Sequence, residues 1–225
     1  MKKTLIILFI VAGLAACKKE VTDKIDQDKI FTVFDLSFNE NTNTTTATAT
    51  FRFSNLNGTR LELSDPSTVT VNAQNMEWSE ENGNYSHQFS GFVASADFVW
   101  VDLDGNSFTN TANIVDIAYP DTLPSYTYAD SVNYFMWEGA PLDSFEIAYL
   151  EFDGPGETDL RRFQQVDTIG ATTITIDSVR LSQIDSGLVN TILVKIYRPD
   201  LVEGTSKGGQ ISGRYQPTDR TFNLQ

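Results

Sequence analysis

At 225 residues the chain is long enough to bury one large core or two ordinary ones. It carries 16 Lys and Arg against 30 Asp and Glu, a net charge of −14. A phosphate backbone or an anionic membrane surface repels such a body, so nucleic acid is not an expected partner. The single cysteine, Cys17, leaves no route to an internal disulfide or a thiolate metal cluster.

The first 16 residues have three parts. Lys2 and Lys3 give a positive start, Leu5 to Val11 an apolar centre, and Gly13, Ala15 and Ala16 a small-residue end, the layout of a secretory signal. The apolar run from Leu5 to Ala16 spans 12 residues, short of the roughly 20 that a membrane-crossing helix needs. Leu14-Ala15-Ala16-Cys17 resembles the lipobox of bacterial lipoproteins at all four positions. The resemblance implies signal-peptidase recognition through Leu14, Ala15 and Ala16, with Cys17 acylated as the mature N-terminus. Two or more acyl chains, at about 0.8 kcal/mol per buried methylene, anchor stably. Loss of Lys2 and Lys3 leaves a mature net charge of −16.

Residues 17–29 are polar apart from Val21 and Ile25 and are expected to form a flexible tether. Cys17-Lys18-Lys19-Glu20, followed by further acids, resembles the start of Bacteroidota lipoproteins. That implies an outer-membrane location, on the surface or the periplasmic face.

The body reads as sheet. Phe34, Leu36 and Phe38 alternate with Asp35 and Ser37, and Ala47, Ala49, Phe51 and Phe53 alternate with Thr46, Thr48, Thr50 and Arg52. Period two sends one set to a core and the other to water. Asn55 to Gly58 is a turn, Leu61/Leu63 and Val69/Val71 continue the alternation, and Ser64-Asp65-Pro66-Ser67 separates them. Ala96 to Leu103 is apolar on both faces through Phe98, Val99, Trp100 and Val101, which suits an interior strand covered on both sides or one beside a domain junction. Asp104-Gly105 then turns the chain. Seven or so short strands in this space predict an immunoglobulin-like sandwich over 30–115.

Prolines 120 and 124 mark a connection, with a boundary at 116. Beyond it, Ser131 to Trp137 and Phe145 to Phe152 read as strands around a turn at Gly139-Ala140-Pro141. Ile174/Ile176 and Ile192/Val194/Ile196 alternate likewise, and Gly208 to Tyr215 supplies a last strand that Thr221 to Leu224 finishes. Residues 176–198 resemble the sheet-to-sheet crossover of immunoglobulin-like or fibronectin-like modules in bacterial lipoproteins. The resemblance implies a helical turn whose Leu181 and Ile184 plug the core, and a glycine, Gly187, at which the chain re-enters the sheet. The expected fold class is therefore all-β, with two tandem immunoglobulin-like β-sandwich domains, 30–115 and 116–225, after a lipoprotein signal peptide, 1–16.

No catalytic constellation stands out. Asp102-Leu103-Asp104-Gly105-Asn106 begins like a calcium loop, but its twelfth position is Asn113 where a bidentate Glu belongs, so a hairpin turn is expected. His87 is the only histidine and there is no Gly-x-Ser-x-Gly elbow. Glu146, Glu151 and Glu157 are read as solvated charge, and no metal or other cofactor is expected. Trp78, Tyr85, Trp100, Tyr126, Tyr128 and Trp137 are the rings that would stack on sugars if exposed. Asp-Ser/Thr-aliphatic occurs before Leu123, Val132, Ile169 and Val179 and resembles the O-glycosylation motif of secreted Bacteroidota proteins. That implies Thr122, Ser131, Thr168 and Ser178 as acceptors, Thr122 foremost. The expected function is a non-catalytic, lipid-anchored structural or adhesive module of the cell envelope that binds another protein. The alternative is a glycan-binding accessory lipoprotein of a nutrient-uptake system, with a hydrolase behind both.

Overall fold

The computed structural model describes residues 20–123, 133–153, 161–165 and 168–224. The strands in chain order are β1 (Glu20–Val21), β2 (Ile30–Asn39), β3 (Thr44–Phe53), β4 (Arg60–Glu62), β5 (Thr68–Val71), β6 (Gln74–Asn75), β7 (Glu77–Ser79), β8 (Asn84–Ser90), β9 (Ser95–Val101) and β10 (Ser107–Asn113). They continue with β11 (Asn133–Met136), β12 (Glu146–Asp153), β13 (Arg161–Gln165), β14 (Thr173–Ile176), β15 (Gly187–Tyr197), β16 (Gly209–Gln216) and β17 (Arg220–Leu224). Helix among the described residues is limited to α1 (Ser178–Leu181) and two 3-10 turns near residue 25, so the protein is all-β and β-sandwich-like. None of the described helices is long and apolar enough to cross a membrane.

In β2 and most of β3 the alternation read from the sequence is the alternation of burial. Phe53, at the end of β3, is instead 44% exposed. In β15 the core side is Val189, Thr191, Leu193 and Lys195 rather than the side of Ile192 and Ile196. In β2, Phe34, Leu36 and Phe38 are buried while Phe31, Val33, Asp35 and Ser37 between them are half-exposed. In β3 the apolar partners Ala47, Ala49 and Phe51 are fully buried. These side chains meet Val69, Val71, Phe98 and Trp100 from the separate sheet β10-β9-β5-β6, closing a first core. Aromatic contacts knit it: Phe34 stacks on Phe98 at 5.0 Å, and Phe51 lies 5.1 Å from Trp100. The expectation that the strand at 96–103 is covered on both faces is corrected here. Ala96, Phe98 and Trp100 are buried, but Val99 and Val101 are only half-buried, because β9 is central within its sheet and covered on one side.

A second core lies between β12, β15 and β17 on one side and the pair β11/β14 on the other. Its plug is α1. Asp177 Oδ1 accepts from the Val179 N–H at 2.8 Å, an N-cap that starts the turn. Leu181 and Ile184 then drop into the core at 0% and 1% exposure, and Gly187, at φ 129°, lets the chain enter β15. Leu181→Ala is expected to lower stability by about 2–5 kcal/mol, the range for a leucine deleted from a packed core. Denaturant unfolding that shows less than about 1 kcal/mol of change would mean the plug is dispensable.

Two features depart from the expected organisation. The described part of the 17–29 tether is held on the body. Thr22 and Gln27 are buried, β1 pairs in parallel with β4, the Ser64 N–H donates to Thr22 Oγ1 at 2.9 Å, and the Leu103 N–H donates to Gln27 Oε1 at 3.3 Å. Polar composition suggested a solvated linker, but here polar side chains satisfy loop backbone that would otherwise be orphaned.

The second departure concerns the end of the chain. β16 pairs in parallel with β2 over eight residues, Gly209↔Thr32 to Gln216↔Asn39, and places Ile211 in the first core. Its other edge pairs with β15 at Lys195–Tyr197. The main sheet therefore runs without a break as β1-β4-β3-β2-β16-β15-β12-β13. After Pro217, β17 pairs with the first half of β15 and sends Phe222 and Leu224 into the second core. A cut at 116 would thus part β16 from the core that it lines.

Candidate functional site

The side chains nominated by type are mostly consumed by the fold. Trp100 and Trp137 are 0% and 4% exposed. Tyr85 is buried, and its hydroxyl accepts from the Leu63 N–H at 2.8 Å. Trp78 is half-buried and lies 5.1 Å from Tyr85. Tyr126, Tyr128, Ser131 and Glu157 lie outside the described residues, as do Leu14, Ala15, Ala16 and Cys17. His87 sits half-buried on the core-facing side of β8, opposite Ala47, with its ring edge-on to Phe89 at 4.6 Å. Asp102 closes a hairpin, as expected: its carboxylate accepts from the Asp104 and Asn106 N–H groups at 2.9 and 2.8 Å and from Asn106 Nδ2 at 2.9 Å. A cleft of about 190 Å³ beside that turn is lined by Asp26, Asp28, Asp104, Phe108 and Ser206 among others. Two of its acids already hold protein partners. Asp26 accepts from the Asp28 N–H, and Asp28 is bonded by Ser206, which holds its carboxyl below the ordinary range. Among the described residues no group of three His, Cys, Asp or Glu side chains is placed to hold a metal ion.

The reading of Glu146 and Glu151 as solvated charge is overturned, because both are buried. Five positions apart on one strand, they face opposite sides of β12. Glu146 Oε2 accepts from the Asp143 N–H at 2.7 Å and stands 3.0 Å from Lys195 Nζ. Lys195, 1% exposed, arrives from β15 on the core side, in register with Ala148 and Tyr215. A lysine at this position looks like surface from the sequence, since Lys is rarely buried unless paired.

On the opposite face of the same sheet lies a second charged group. The Ser212 hydroxyl donates to Asp35 Oδ1 at 2.5 Å across the β2/β16 pairing. Burial raises the Asp35 carboxyl above its ordinary value, against smaller opposing effects of Ser212, Arg214 and Arg198. Arg214 also reaches over the Tyr149 ring at 5.9 Å. A carboxyl whose folded pKa is raised contributes stability in its protonated form, and that contribution is lost as pH rises from the unfolded value through the folded one. Asp35→Asn keeps an acceptor for Ser212 and removes the buried charge. It is expected to raise the melting temperature at pH 7 and leave it unchanged below pH 3. An equal change at both pH values would show that ionisation of Asp35 is not the cause.

One exposed patch was missed by inspecting aromatics by type. In β11, Phe135 points into the second core while Tyr134 and Met136 flank it on the outer face, each 61% exposed. Register places Tyr134 beside Thr175 and Met136 beside Thr173 of β14, so the four make one small sheet face. The signal was present in the alternation of residues 133–137, which separates these two side chains from Phe135 and Trp137. Of the four acceptor candidates, Thr122 and Thr168 are exposed and Ser178 is half-buried at the start of α1.

No protein-family model matches this chain, and no curated protein matches it either.

Proposed function

We propose that the chain is a lipid-anchored protein of the cell envelope whose two immunoglobulin-like sandwich cores, joined through one continuous sheet, serve, without catalysis, as a structural or adhesive module that binds another protein. The observation that carries this reading is the outer face of β11, where Tyr134 and Met136 stand exposed over a framed strand pair. Aromatic side chains and methionine are the types enriched at protein contacts. Glycan capture draws less support, because Trp100, Trp137 and Tyr85 are core side chains rather than exposed platforms. Hydrolysis draws less still, with Glu146 and Glu151 on opposite faces of one strand and Glu146 tied to Lys195. Attachment rests on Leu14-Ala15-Ala16-Cys17, and location on the outer membrane rests on the resemblance at Cys17-Lys18-Lys19-Glu20. Among the proposed glycan acceptors that lie in described residues, Thr122 and Thr168 are more accessible than Ser178.

Proteinase shaving of intact cells, with mass spectrometry of the mature protein, tests the reading. Loss of the body on intact cells and an acylated Cys17 are the expected results. A mature N-terminus without lipid on Cys17 would overturn the anchor. For the binding face, the double variant Tyr134→Ala, Met136→Ala should retain its melting temperature and lose cell-surface adhesion. Unchanged adhesion would remove β11 from the proposal.

A further inference from the structure

We infer that the β2/β16 seam is a mechanical clamp that carries tension between the N-terminal end of the chain and the second core. The inference rests on the proposed N-terminal anchor for its biological use, though not for its geometry. β2 follows directly on the segment that leads from Cys17. β16 leads, through Pro217 to Asp219, into β17 and the second core. The two strands are parallel, so the N-terminal end of β2 and the C-terminal end of β16 lie at opposite ends of the seam. Tension applied between those ends slides the strands along each other. The ladder bonds from 32↔209 to 39↔216 then share the load together, whereas a hairpin pulled from its open end gives up its bonds one at a time.

Sliding failure begins at the ends of such a seam, and side chains fasten both. At one end the Ser206 N–H and hydroxyl donate to the two carboxylate oxygens of Asp28 at 2.8 and 2.5 Å, and the Thr205 hydroxyl donates to the Ile30 carbonyl at 2.6 Å. At the other end Glu40 Oε2 accepts from the Thr218 N–H at 2.7 Å and its hydroxyl at 3.1 Å, and Asn41 Oδ1 accepts from the Asp219 N–H at 3.0 Å. Ser212 to Asp35 fastens the middle. Three of these acceptors are carboxylates, the stronger kind of hydrogen-bond partner. A strand that only had to complete a core would not need fasteners past both of its ends.

Single-molecule pulling tests this on the full chain in two geometries. Held by thiols introduced as Lys29→Cys and Thr221→Cys, with Cys17→Ser, the seam is sheared, and force enters past the contacts of residues 20–27 with the body. Held at Thr42→Cys and Thr221→Cys, with Cys17→Ser, the same seam is pulled from one end and unzips. The shear geometry is expected to break at several-fold higher force. Asp28→Ala, which removes the fastener at the end remote from the unzipping handles, should lower the shear force and leave the unzipping force nearly unchanged, which a merely stabilising role would not do. Equal forces in the two geometries, or an Asp28→Ala variant that lowers both alike, would overturn the clamp. The seam's strength is read on the unacylated chain, so a failed anchor and a failed clamp give different results.

Discussion

Gly213→Ala is expected to be among the most damaging single substitutions in this protein. A Cβ built at Gly213 falls 1.9 Å from the Asn113 carbonyl oxygen and 2.5 Å from its carbon, both backbone atoms. No rotamer relieves such a contact, so either the end of β10 or β16 itself must move by about an ångström, in an interior packed at crystal-like density. Gly213 stands in register with Leu36 and Tyr197, so displacing it disturbs the first core and the β15 pairing together. Overpacking usually costs about 1–3 kcal/mol, and a clash with backbone belongs at or above the top of that range. At roughly 2–4 °C per kcal/mol for a protein of this size, a fall of about 10 °C in melting temperature is expected. Hydrogen exchange should locate the loss in residues 32–39 and 209–216. A variant that melts within about 2 °C of the parent would show that β16 is more loosely seated than its glycine implies.

Breaking the Glu146–Lys195 pair should cost as much or more. Lys195 Nζ is wholly buried, its ammonium faces the Glu146 carboxylate at 3.0 Å, and its other protons meet no acceptor among the described residues. Glu146→Ala leaves that cation buried and uncompensated, a situation that typically costs about 3–5 kcal/mol. The double variant Glu146→Leu, Lys195→Met removes both charges and keeps similar volume. Buried pairs replaced this way are often neutral or more stable by about 1–4 kcal/mol. The expected pattern in chemical denaturation is a large loss for the single change and recovery for the double. If the double variant is as unstable as the single, the pair contributes net stability, and the site should be read as a required ionic link between β12 and β15.

Both results bear on what could be read in advance. Side-chain alternation depends only on strand geometry, and it placed β2, β3 and core side chains such as Phe34, Leu36, Phe38 and Phe51 where the structure has them, though not Phe53, which is exposed. Turn chemistry at Asp104-Gly105 placed the hairpin. The plug at Leu181 and Ile184 was legible for a similar reason, since a cap, two apolar side chains and a glycine sit within a few residues of one another. Tyr134 and Met136 are legible from the same alternation, because strand parity, not ring type, separates them from buried Phe135.

The chain by itself thus determined the class of structure, the identity of most core side chains and the local turns, because each is set by neighbours a few residues apart. The partner of β16, the burial of Glu146 and Lys195, and the clipping of residues 20–29 onto the body were decided only by tertiary structure. Asp35 and Ser212 are 177 positions apart, and each looks like ordinary surface on its own strand. What brings them together is the choice of which strand edge pairs with which. That choice is made by the whole core at once, because an edge left unpaired in the interior costs more than any local preference can offset.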